Sequence, residues 1–285
     1  MLYEIKESPQ TGFFQYVISV AADERTEGLY ILAGPPDGIE IHHGRDGAFW
    51  RRIPLAFHAG LKDRVMPCAG RIWLAADGKL LEIDKKGSAS PSKNPPGPLP
   101  DRIGEILCDA SERIIVTNAA GTEIRRYDND GNQDLRISRP QKTGAKQQPP
   151  KNQPPPPPFK SIRSIATDPL GRIFVFDSSC TVFPFDQKAR PLPPLLESDF
   201  QDNPFPCDSP SIAIDIDRNI WFVNSMENSI DAYNSFGALV KRIYANADFG
   251  PRFIQPSSIF IDSRNRLYVT DRASASIKAF DLNKK

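Results

Sequence analysis

Four segments repeat one pattern: Asp109-Ala-Ser-Glu-Arg-Ile, Asp168-Pro-Leu-Gly-Arg-Ile, Asp215-Ile-Asp-Arg-Asn-Ile and Asp262-Ser-Arg-Asn-Arg-Leu. In each, an aspartate stands five residues before an apolar anchor, with polar or small turn residues between them. Weaker copies run from Asp23 to Leu29 and around Ile72. The anchors Leu29, Ile72, Ile114, Ile173, Ile220 and Leu267 are separated by 43, 42, 59, 47 and 47 residues. A period in this range marks a repeat architecture, in which each unit buries its apolar face against its neighbours.

Each unit opens with a short apolar run such as Ile212–Ile214. A polar turn follows, then a β-branched and aromatic run such as Leu267-Tyr-Val-Thr, then an alternating segment such as Ile230-Asp-Ala-Tyr233. Alternation of period two between turn residues specifies strands, and no stretch carries a sustained 3.6-residue period. The expected fold is all-β: a single six-bladed β-propeller of four-stranded blades, which protects its sheet edges by radial repetition. The blades are expected at about 13–54, 55–86, 102–138, 160–190, 209–245 and 255–282. The spare strand at 2–6 is expected to join the last blade and close the ring.

The blocks 256–281 (PSSIFIDSRNRLYVTDRASASIKAFD) and 210–237 (PSIAIDIDRNIWFVNSMENSIDAYNSFG) resemble NHL repeats. That pattern runs roughly Pro-x-Gly-Ile-Ala-Val-Asp, Gly-x-Ile-Tyr-Val-Ala-Asp, Asn-x-Arg-Ile and Phe-x-x-x-Gly. The resemblance is good over 160–281, fair over 103–138 and poor in the first 85 residues. The chain departs from it at Glu105, Ser211 and Ser258, where the family favours glycine, and at Asn118 and Asn224, where an aspartate is usual. It implies a propeller and leaves three activities to weigh.

Calcium-dependent, gluconolactonase-like propellers converge a Glu, an Asn and an Asp on the axis. Here the matching strand starts at Ser164, Pro210 and Pro256 bring no acid, and Glu105 alone supplies too few oxygens for calcium. Peptide-amidating lyases hold zinc with histidines from different blades. This chain has three histidines, His42, His43 and His58, all in its first fifth. Adjacent strand residues point to opposite faces, so His42 and His43 read as half-exposed strand residues. Some NHL propellers bind RNA; here Arg51, Arg52, Arg125, Arg126, Lys241, Arg242, Arg252 and Arg272 are interleaved with acids.

Charge bounds the partners further. With 36 basic and 35 acidic residues the formal net charge is +1, so no global field favours nucleic acid or membrane. The N-terminus carries Glu4, Lys6 and Glu7 with no apolar signal core, and no apolar run approaches the ~20 residues a spanning helix needs. Four cysteines, Cys68, Cys108, Cys180 and Cys207, fall in different units without close spacing. They read as free thiols in a reducing cytoplasm.

The chain has 28 prolines, about twice ordinary usage. They gather at 91–100, 140–158 and 191–206, between units, because proline gives no ladder donor in a central strand. The Pro-rich loop insert at 140–159 contains Pro154, Pro155, Pro156, Pro157 and Pro158, a candidate polyproline II rod for partner docking. Asn118, Asp177, Asn224 and Asp271 end second strands, where they form a candidate polar rim or cap their loops. Hydrolase, P-loop, dinucleotide and zinc-protease motifs do not occur.

The expected function is therefore a non-enzymatic interaction scaffold with a protein partner. No catalytic, cofactor-binding or metal residue, no cofactor and no membrane role is expected; nucleic acid is disfavoured as a partner, and a small-molecule ligand is left open. The alternatives are a metal-dependent hydrolase or lyase at the channel mouth and RNA binding on a basic face.

Overall fold

The computed structural model describes residues 1–10, 12–23, 25–34, 37–60, 62–84, 86, 88–91, 98–139, 159–195, 206–244 and 253–284. Among them the regular structure is entirely β, and no helix is long and apolar enough to cross a membrane. The candidate docking residues Pro154–Pro158 lie outside the described residues.

Six antiparallel sheets follow one another along the chain. Blade 1 comprises Tyr16–Asp23, Gly28–Gly34, Gly38–His43 and Phe49–Pro54. Blade 2 comprises Arg64–Cys68, Arg71–Ala76, Lys79–Ile83 and Ala89–Pro91, and blade 3 Ile103–Cys108, Ile114–Asn118, Glu123–Tyr127 and Gln133–Ser138. Blade 4 has Ile162–Thr167, Ile173–Asp177 and Val182–Phe185, and blade 5 Ile212–Ile214, Ile220–Asn224, Ser229–Tyr233 and Leu239–Ile243. Blade 6 takes Pro256–Ile261, Arg266–Asp271 and Ser276–Asp281 from the end of the chain. Its fourth strand is Tyr3–Ile5, paired antiparallel so that Glu4 faces Lys278. A small hairpin, Glu7–Ser8 with Gly12–Phe13, precedes blade 1.

The first strand of each blade lies against the first strands of both neighbours, forming an inner ring. Blade 4 departs from the four-strand pattern for a local reason. Its fourth position is taken by the proline-rich segment 191–195, which reaches the sheet only through isolated bridges, Phe185 with Pro191 and Val182 with Leu195. Prolines 191, 193 and 194 lack the N–H groups that a continuous ladder requires.

Side chains alternate across each strand, so both faces of a blade carry apolar rows. These rows meet in six clusters, one at each blade-to-blade interface. Trp221 of blade 5 packs with Ile259 and Leu267 of blade 6, and Tyr268 of blade 6 with Val17 and Leu29 of blade 1. All six repeat anchors are buried. Phe159 is buried as well, edge-on to Phe185 at a ring separation of 6.2 Å.

The cysteines correct the sequence reading. Cys68 is bonded to Cys108 and Cys180 to Cys207, leaving no free thiol. Cys68 and Cys108 are the terminal residues of first strands in adjacent blades, which brings their Cα atoms to 5.6 Å. His42 is a second correction. Its side chain is buried rather than half-exposed, because the blade 1 sheet folds it between Glu40 and the Gly47 carbonyl.

Candidate functional site

The aspartate of the repeat builds one end of every strong blade. Asp109 Oδ1 accepts the amides of Ser111 (2.9 Å) and Arg113 (3.0 Å), while Oδ2 accepts Arg113 Nε at 2.8 Å. Asp168 does the same with the Leu170 and Arg172 amides and Arg172 Nε, and Asp262 with the Arg264 and Arg266 amides and Arg266 Nε. In blade 5 Asn219 replaces the arginine, donating Nδ2 to Asp215 Oδ2 at 2.8 Å. The residue before that position is left-handed in all four turns, at Glu112, Gly171, Arg218 and Asn265. The side-chain oxygen thus acts as an Asx-type cap that holds the turn.

These turns surround a cavity of about 250 Å³ to which all six blades contribute. Met66, Pro67, Ile214, Ile216, Phe260 and the Cys68–Cys108 bridge supply apolar lining. Arg25 and Glu112 span two blades at its edge as an ion pair of 2.7 Å. Asp23, Asp109, Asp168 and Asp262 also border it, with oxygens turned to their own turns. Leu170 and Ile216, in the same set of turns, are more than half exposed. The recess can receive an apolar group within a charged border.

The predicted rim residues stand at the opposite ends of their blades. Asn118 Oδ1 accepts the amides of Thr122 (2.8 Å) and Glu123 (3.0 Å). Asp177 accepts the Ser179 amide, the Ser179 hydroxyl and the Lys160 amide. Asn224 accepts the Glu227 amide and donates to Asp231, while Asp271 accepts the Ile254 and Gln255 amides and pairs with Lys278 Nζ at 3.1 Å. Each therefore holds a loop in its own blade.

The histidines do not meet on the axis. His42 bridges Glu40 and the Gly47 carbonyl, His43 stacks on Trp50, and exposed His58 contacts Asp37 at 2.6 Å. Among the described residues, no group of three or more His, Cys, Asp or Glu side chains is placed to hold a metal ion. Several of the candidate basic residues are tied within sheets: Arg52 to Glu40, Arg126 to Asp134, and Arg242 to Asp231 and Glu227.

Sequence reasoning missed what the residues at the start of the first strands do. Ser19, Glu105, Ser164 and Ser211 accept the amides of Val65, Ile165, Ile212 and Ile259 at 2.9–3.2 Å, each bond crossing to the first strand of the next blade. A glycine has no side chain to make this link, so Glu105 and Ser211 act as inter-blade fasteners. Burial pushes the Glu105 carboxyl up to about 7, against the opposing pull of Arg64, the Ile165 amide and Ser164. Burial also holds Arg272 below its usual range, with repulsion from Arg64 adding to it.

No protein-family model and no curated protein matches the chain by sequence. Solved structures match by shape. Virginiamycin B lyase from Staphylococcus aureus is similar with a TM-score of 0.58 and 16% identity, over 100% of this chain and 89% of that one. A streptogramin B lyase is similar with a TM-score of 0.56 and 14% identity, over 99% and 88% of the two chains. The WD40 propeller domain of Doa1 is similar with a TM-score of 0.54 and 14% identity, over 96% and 80%. At such identities the likeness establishes the six-bladed propeller and nothing finer about activity.

Proposed function

We propose that the chain is a non-enzymatic binding propeller that presents the turns around the channel-mouth cavity to a protein partner. The observation that carries this reading is the division of labour at the mouth. The aspartates there hold their own turns, while an apolar recess with Leu170 and Ile216 beside it stays open. A recess of this kind, rimmed by charge, suits an anchoring apolar side chain from a partner. The proline run Pro154–Pro158 is a second proposed contact, of a composition that aromatic-lined grooves recognise. The two disulfides favour an oxidising compartment over the cytoplasm.

Ile216→Asp and Leu170→Asp, both at exposed positions, test the reading. Photocrosslinking from position 216 in native extract is expected to trap a discrete protein, and capture of that protein is expected to fall in both variants at unchanged melting temperature. Undiminished capture would remove the channel mouth as the docking face.

Glu105 favours a second reading. A carboxyl that titrates near neutrality suits proton transfer, and two of the neighbours named above are lyases. Mass spectrometry of quinupristin, the compound present with a catalytically inactive virginiamycin B lyase, discriminates the two. Consumption that disappears in Glu105→Gln would replace the binding reading with an enzymatic one.

A further inference from the structure

A larger cleft lies on blade 3, apart from the channel mouth, with a volume of about 720 Å³. Its lining includes Arg102, Arg125, Arg136 and Arg139, with Asp101 and Glu123 as the acids. Four guanidiniums against two carboxylates leave an excess of two positive charges, in a chain whose whole formal excess is one. We propose that this cleft binds a ligand carrying two or more phosphate or sulfate groups.

The strand register creates the charge density. Arg125 and Arg136 sit directly opposite each other on adjacent strands, a like-charge placement that ordinarily destabilises a sheet. Glu123 binds both, meeting Arg125 through two bonds of 3.0 Å and Arg136 through Nε. One carboxylate therefore orders two guanidiniums and neutralises only half their charge. Burial works to raise Glu123, but hydrogen bonds from Arg125 and Arg136 outweigh it and hold the carboxyl below its ordinary range.

The remaining cations come from other walls. Arg102 is exposed at the start of the blade, and Arg139 follows the fourth strand, donating to the Lys160 carbonyl. The Pro98 carbonyl accepts from Arg125 and from Tyr127, the latter at 2.8 Å, which adds a second tether on the Arg125 guanidinium. Planar guanidiniums match the oxygen spacing of phosphate and sulfate, and charge-assisted bonds to such groups are the strong ones. The volume falls in the range of small-molecule sites.

Calorimetric titration of the full chain at about 25 mM salt, where surface charge is weakly screened, tests the proposal. The probes are inorganic pyrophosphate, ATP and a disulfated disaccharide; their rank separates a phosphate ligand from a sulfate one. At least one probe is expected to bind, more weakly at higher salt. Arg136→Gln and Arg102→Gln are each expected to weaken it by about fivefold or more, while Arg218→Gln, in a blade 5 turn, leaves it unchanged. Arg102 is exposed, so its variant keeps the test valid even if Arg136→Gln disturbs the sheet. Absence of binding by all three probes, or binding unaltered in Arg102→Gln, would overturn the proposal.

Discussion

Trp221 Nε1 donates a hydrogen bond of 2.8 Å to Asp215 Oδ2, the same oxygen that accepts Asn219 Nδ2. A single carboxylate thus joins the turn at the channel mouth to the aromatic ring buried between blades 5 and 6. Blade 6 repeats the device, with the Tyr268 hydroxyl 3.1 Å from Asp262 Oδ2. Blade 2 lacks the aspartate, having Pro67 five residues before Ile72. There the Trp73 indole N–H is buried with no hydrogen-bond partner among the described residues.

The two tryptophans are therefore expected to respond differently. Trp221→Ala should cost about 3–5 kcal/mol from the cavity it leaves. Trp221→Phe should cost about 1–3 kcal/mol, because Asp215 loses a buried donor. Trp73→Phe removes an unsatisfied N–H and should change stability by less than about 1 kcal/mol. Urea titrations of the three variants check this; equal losses for the two phenylalanine substitutions would show that the bond to Asp215 contributes nothing.

The disulfides span 40 and 27 residues. Loop-closure entropy at those lengths corresponds to about 3–4 kcal/mol each. Reduction with a thiol is expected to lower the melting temperature by several degrees. Cys68→Ser with Cys108→Ser is expected to account for about half of that shift. Thiol counting of the untreated protein under denaturing conditions should find none free.

Glu105 gives the folded state a proton that the unfolded chain does not hold at the same pH. Its carboxyl is raised from 4.5 to about 7, so the folded form binds more protons between those values and stability declines as pH rises through that window. Glu105→Gln keeps an oxygen for the Ile165 amide and cannot ionise. It is expected to raise stability at pH 8 by about 1–3 kcal/mol and to leave it little changed at pH 4. Denaturant midpoints at the two pH values measure the difference.

Lys278 reverses that sign. Its ammonium lies 3.1 Å from both Asp271 and Glu4. Burial works to raise both carboxyls, yet hydrogen bonds from Lys6 and Lys278 to Glu4, and from the Gln255 and Ile254 amides and Lys278 to Asp271, hold both below their ordinary ranges. Their contribution is complete above the ordinary carboxylate range and is lost as acid carries the pH down through the depressed values. Lys278→Met should cost about 3–5 kcal/mol at pH 7, because it strands buried charge, and much less near pH 3.

Blades 1, 5 and 6 each join their outer strands by an ion pair between directly opposed residues: Glu40 with Arg52, Asp231 with Arg242 and Lys278 with Glu4. In blades 1 and 5 the third strand carries the acid. In blade 6 it carries the base. The exchange Glu4→Lys with Lys278→Glu is expected to recover part of what either single change loses, read as a coupling energy in a double-mutant cycle.

Much of this architecture is written in local spacing. The Asp-to-anchor interval specifies a strand, an Asx-capped turn and a second strand, and the buried anchors Leu29 to Leu267 follow from that alternation. The proline clusters likewise account for the irregular fourth position of blade 4. Features that need a partner from another blade were not legible. Cys68 and Cys108 look unrelated until the repeats are laid side by side, when both fall at the ends of neighbouring first strands. Arg102, Arg125, Arg136 and Arg139 are dispersed in sequence, and only the register between the third and fourth strands of blade 3 faces Arg125 with Arg136. Glu105 and Ser211, read as departures from a glycine pattern, acquire a role only when the next blade presents an amide.

The reversed polarity of blade 6 bears on the order in which the molecule assembles. Tyr3–Ile5 emerges from the ribosome long before Ser276–Asp281, the strand it must join, and it passes five other outer edges while it waits. At the position Lys278 holds in blade 6, the third strands of blades 1 and 5 offer Glu40 and Asp231, which repel Glu4, while that of blade 3 offers Arg125. Like charge thus disfavours pairing of Tyr3–Ile5 with the outer edges of blades 1 and 5, and Lys278 favours blade 6, so charge narrows the choice of edge and side-chain packing completes it.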